Sequence, residues 1–96
     1  MWARIATFEG GDDERMRQMN EERGGMPDMP PGMTGAMVMR AREGNRRLFV
    51  AWFDSAEAID AAEAHFDSMG DEIPEDVRGK RVSVDAYEVV MNSWEQ

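Results

Sequence analysis

Residues 52–59, WFDSAEAI, run an apolar strand straight into a capped helix, and the order of elements on either side follows from that join. Phe53 closes the strand. Asp54 is the expected N-cap, its carboxylate accepting from a free helical N–H while Glu57, three residues on, reaches back to complete a capping box. From Ser55 to about Met69 the apolar residues Ala58, Ile59, Ala62, Phe66 and Met69 recur at helical spacing, with Asp60, Glu63 and Asp67 opposite.

Upstream of the join, residues 33–42 and 46–53 are two apolar-rich runs flanking Gly44-Asn45, a pair suited to a two-residue hairpin with positive φ at its first position. With that loop, Met37 faces Trp52, Met39 faces Val50 and Ala41 faces Leu48 on one side. On the other, Ala36 faces Phe53, Val38 faces Ala51, Arg40 faces Phe49 and Arg42 faces Arg47. One side is wholly apolar and the other is apolar except near the hairpin tip, so both call for burial.

Working outward, residues 2–9 read as a first strand that stops at Gly10-Gly11. Asp12 and Asp13 then open a helix to about Glu22, with Met16 and Met19 on one stripe and acids at the end the helix dipole favours. GGMPDMPPG, residues 24–32, breaks that helix with three prolines and three glycines and reads as a crossing loop, with a flexible methionine lid as the alternative reading. Residues 70–79 are a connection with one helical turn around Glu75. A last strand over 80–90 places Val82, Val84, Ala86 and Val90 on one face and Tyr87 and Val89 on the other.

The expected fold class is therefore α+β, a ferredoxin-like βαββαβ arrangement with a four-stranded antiparallel sheet. Residues 1–91 form the single domain and 92–96 a tail, with Trp94 expected to pack on a partner subunit or to fray. Two helices cover one face of such a sheet, not both. Each large apolar side chain left in water forgoes about 1.5–3 kcal/mol of burial, against a domain stability of about 5–15 kcal/mol. Pairing of two open faces removes that loss, so the expected partner is a second copy, in a dimeric α+β barrel.

Composition narrows the function classes. Twenty acids against eleven basic residues give a net charge of −9, which opposes nucleic acid and anionic membrane surfaces. There is no cysteine for a disulfide or a thiolate metal site. No apolar leader or run of spanning length occurs, and a cytoplasmic location is expected. Ten of the eleven basic residues are arginine, which reads as coding bias rather than chemistry. Residues 54–76 hold nine acids and no lysine or arginine, spread along an outer helix face and into the following loop rather than in the alternating pattern of a calcium loop, so no metal site is expected.

The strand-to-helix join, set after a hairpin and before an alanine-rich helix, resembles the antibiotic biosynthesis monooxygenase-like family of dimeric α+β barrels. The resemblance covers nearly the whole chain in element order. It implies a homodimer with a small-molecule pocket between helices and sheet in each subunit, in some relatives oxygenating phenolic compounds with no metal or flavin. In the haem-degrading branch of the family, an asparagine, a tryptophan and a histidine would fall at Ala3, Ala62 and Glu72, so that activity is disfavoured.

Few side chains could carry chemistry. His65, the single histidine, could act as a base near neutral pH, although it sits beside the helical apolar stripe as a packing residue would. Tyr87 and Trp52 could hydrogen-bond a phenolate or carbonyl, or simply supply buried area. Arg40, on an otherwise apolar face, could hold an anionic group, or lay its stem across apolar surface with its head in water. Catalytic candidates are thus His65 and Tyr87, ligand-binding candidates Trp52 and Arg40, and no cofactor is expected. The function expected is binding of an apolar or aromatic small molecule, with cofactor-independent monooxygenation as the enzymatic form. A non-catalytic ligand-binding or assembly module of the same fold is the alternative.

Overall fold

Alternation along the strands sorts their side chains onto two faces, and the computed structural model, which describes residues 1–22 and 29–94, shows what covers each. The elements are β1 (Trp2–Glu9), α1 (Asp13–Glu22), β2 (Met33–Arg40), β3 (Arg46–Phe53), α2 (Ala56–Glu72), α3 (Glu75–Arg78) and β4 (Lys80–Glu88). The sheet is antiparallel in the order β2-β3-β1-β4, the βαββαβ ferredoxin-like arrangement. Of the loop and lid expected over residues 24–32, the part up to Asp28 lies outside the described residues, as do the last two residues of the tail. Among the described residues, no helix is long and apolar enough to cross a membrane.

One face of the sheet is covered by the helices. Phe53 and Ala51 of β3 lie fully buried beneath Ile59, Ala62 and Phe66 of α2, with Met33 closing the side. The rings of Phe53 and Phe49 each meet Phe66 edge-on, with centroids 6.2 and 6.1 Å away. The helical stripe read from the sequence is therefore the core-facing side of α2, which runs on through Gly70 to Glu72. No described helix lies over the other face, which carries Ile5, Leu48, Val50, Trp52, Met37, Met39 and Tyr87, the last three exposed.

The hairpin differs from the expected one by two residues. Met37 pairs with Val50, Val38 with Phe49 and Arg40 with Arg47, and the Ala41 N–H donates to the Arg46 carbonyl, so the loop holds four residues rather than two. Gly44 has φ 84°, as the turn requires, but from inside a longer loop. A slide of one would have exchanged the faces. A slide of two keeps them, so the face assignments survive while Arg40 comes to face Arg47 instead of Phe49.

The cap also moves by one. Ser55, extended at φ −153°, accepts from the Ala58 N–H at 3.1 Å, so Ser55 rather than Asp54 is the N-cap of α2. Asp54 stays tied to the preceding structure because its N–H donates to the Gly32 carbonyl at 2.9 Å. Glu57 then lies one position too early to complete a capping box. Ser55→Ala should lower stability by about 1 kcal/mol, and Asp54→Ala by clearly less, in urea denaturation.

In β4, a bulge opposite Thr7 and Phe8 makes Val82 the extra residue and turns Arg81 toward the helices, 3.6 Å from Asp67 of α2. Arg81 thus holds the place expected for Val82. Trp94 folds back on its own chain, edge-on to Trp52 at 5.8 Å, and is 68% exposed.

Candidate functional site

Between α1, the C-terminal half of α2 and the helix-side face of the sheet lies a cleft of about 1080 Å³. Its apolar lining comes from β1 and β3 through Ala6, Phe8 and Phe49, and from the helices through Met16, Met19 and Phe66. The cleft exists because α1 buries none of its residues in the core. Its N-terminus is moored: the Asp12 N–H donates to the Val77 carbonyl at 2.9 Å, Arg15 bonds Asp76 at 2.7 Å, and Asp12 caps the helix by accepting from the Arg15 N–H at 3.1 Å. Beyond that mooring, Met16 and Met19 are half-buried and line the cleft.

Two polar clusters mark the cleft. In its wall, Arg4 of β1 is 2% exposed, donates from Nε and Nη2 to the two carboxylate oxygens of Glu63 on α2 at 2.7 and 3.1 Å, and stacks 4.1 Å from the Phe66 ring centroid. The Arg4 hydrogen bonds hold the Glu63 carboxyl below its ordinary range, with burial opposing and the charges of Arg4 and Arg81 adding to the effect. At the cleft margin, Asp13 of α1 accepts from Arg47 Nε and from Arg40 Nη1, the latter at 3.0 Å. The Arg47 hydrogen bond, then the charges of Arg47 and Arg40, lower the Asp13 pKa against the effect of burial. Arg47 Nη2 also donates to the Gly11 carbonyl at 3.3 Å, while Nη1 is buried with no hydrogen-bond partner among the described residues.

Arg40 alone among the four candidate side chains lines the cleft, and its immediate partner is Asp13. Trp52 and Tyr87 share the opposite face of the sheet, where each pairs beside Ala3 of β1, about 10 Å apart across three strands. His65 lies on α2 with its ring 5.8 Å from that of Phe66 and does not line the cleft. The structure therefore does not bring the four into one constellation. Arg4, Glu63, Asp13 and Arg47 were not singled out for a site by the sequence. The available signal was the arginines themselves: Arg4, Arg40 and Arg47 all occupy positions that alternation assigns to the buried side of a strand.

No group of three or more His, Cys, Asp or Glu side chains that could hold a metal ion occurs among the described residues. The side chains that line the cleft are suited to recognition. Guanidinium forks bind planar anions, and apolar walls exclude water from an aromatic body.

No family model matches the sequence, and no curated protein matches it. In three dimensions the chain is similar to the crystal structure of a "putative antibiotic biosynthesis monooxygenase" from Deinococcus radiodurans, at 12% identity, over 96% of this chain and 95% of that one, with a TM-score of 0.65. The antibiotic biosynthesis monooxygenase-like fold expected from the strand-to-helix join is thus the fold of this chain.

Proposed function

We propose that the chain is a homodimer that binds an apolar, aromatic small molecule in the cleft between its helices and its sheet. The observation that carries this reading is the cleft itself, about 1080 Å³ and walled by Phe8, Phe49, Phe66 and the methionines of α1. The pairing of protomers is supported by the uncovered sheet face, where Met37, Met39 and Tyr87 stand exposed around Trp52. Light scattering on a dilute sample should report twice the 10.9 kDa chain mass. A mass of one chain would overturn the dimer.

In its enzymatic form the proposal is a cofactor-independent monooxygenation. The anion of an electron-rich phenol passes an electron to O₂, one oxygen atom replaces two hydrogens of a ring CH₂ tautomer as a carbonyl, and the other leaves as water. The protein would supply a dry pocket and hydrogen bonds, with Arg40 at the cleft and His65, Trp52 and Tyr87 as the further candidates. A non-catalytic binding module is the second reading. It is favoured by the position of His65 and Tyr87 outside the cleft and by guanidiniums inside it, which cannot act as bases. Oxygen uptake with a panel of dihydroxynaphthalenes decides between them. Consumption above buffer supports the oxygenase, binding without consumption supports the module, and the absence of binding rejects both.

A further inference from the structure

The chain carries a net charge of −9, yet the cleft gathers seven of its eleven basic residues and only four of its twenty acids. The distribution within the cleft is uneven. Toward β4, Arg78, Lys80 and Arg81 are matched by Asp67, Asp71 and Glu75, while Arg4 is neutralised in the wall by Glu63. Toward α1 and β2, Arg17, Arg40 and Arg47 surround the single carboxylate of Asp13. Arg17 lies four residues after Asp13 on the same side of α1, within a turn of the Arg40–Asp13 pair, and makes no ion pair among the described residues. That corner therefore holds two positive charges in excess, next to the ring-lined floor formed by Phe8 and Phe49.

We infer that the ligand of the cleft is an anionic aromatic molecule, an aryl carboxylate, with its acid group between Arg17 and Arg40 and its ring over Phe49. A carboxylate matches the guanidinium fork, and an apolar floor beside it places the charge and the ring at a fixed separation. Arg40, 68% exposed, can turn from Asp13 to an incoming anion, while the mostly buried Arg47 keeps Asp13 in place.

This inference rests on the cleft being the ligand site, and calorimetric titration at low salt tests the two separately. The probes are 2-naphthoate, the neutral 2-naphthalenemethanol, and acetate. Naphthoate should bind roughly 10- to 100-fold more tightly than the alcohol, as one or two charge-assisted hydrogen bonds imply. The Arg17→Gln, Arg40→Gln double variant should remove that preference while keeping the alcohol's affinity and the native circular dichroism, and Arg46→Gln, exposed on the opposite face of the sheet and outside the cleft, should retain it. Equal affinity of naphthoate and alcohol would overturn the anionic ligand and leave the cleft as a binding site. A preference that survives in the double variant would overturn the assigned residues. Acetate binding as tightly as naphthoate would overturn the aromatic part, and no binding of either naphthalene would sink this inference and the cleft reading together.

Discussion

Phe53→Ala should lower the stability of the fold by about 3–5 kcal/mol, the range for emptying a fully buried aromatic site. Phe53 has no exposed surface, ends the strand that enters α2 and packs edge-on against Phe66. Its neighbours cannot collapse into the space, because Ala51 and Ala62 have no length to give and Met33 is already committed to the side of the core. In urea the midpoint should fall with the slope unchanged, since the area exposed on unfolding stays nearly the same. Phe53→Leu should recover more than half of the loss by keeping most of the volume. Equal midpoints for the wild type and Phe53→Ala would mean that the core does not sit between β3 and α2.

The second large effect concerns the ion pair in the cleft wall, and it should be lopsided. Glu63→Ala strands the Arg4 guanidinium, 2% exposed and unable to lose its proton, and should cost about 1–3 kcal/mol. Glu63 is itself 42% exposed, so solvent screening holds the effect toward the lower end. Arg4→Met removes the buried charge, fills the space under Phe66 with a flexible apolar chain and returns Glu63 to water, so it should cost clearly less. The difference depends on pH. The Glu63 carboxyl is held below its ordinary value of about 4.5, so its contribution is complete above that pH and fades as pH falls through the lower folded-state value. Urea midpoints of wild type and Glu63→Ala should therefore converge on acidification, and a gap that widened in acid would reject the pairing.

The architecture was legible because it is written in local signals. Glycines end the first strand, an apolar stripe of period 3.6 marks α2, and the alternation in β2 and β3 names the two faces. Those faces withstood an error in register because side chains repeat every two residues, so the four-residue loop moved partners without moving sides. The cap was ambiguous for a similar local reason. Asp54 and Ser55 are both capping residues, and the choice between them is made by the Gly32 carbonyl, 22 positions earlier. What the sequence could not disclose was the meeting of Arg4 with Glu63, 59 residues away, or of Asp13 with Arg40 and Arg47. Taken alone, each arginine is a single charge on a strand whose neighbours on that face are apolar. Only the sheet order, which sets β1 between β3 and β4, together with the ion pairs that tie α1 to β2 and β3, turns these charges into the lining of one cleft.

The same order has a consequence for the nascent chain. β1 occupies the interior of the sheet, yet its neighbours are translated long after it, with Trp2 waiting for Phe53 on one flank and for Glu88 on the other. Until the ribosome has delivered β3 the first strand has nothing to pair with, and its other edge stays open until β4 follows. Most of the sheet's pairing is therefore long-range in sequence, the kind of topology that folds late and slowly and whose orphaned strand is a target for chaperones during synthesis.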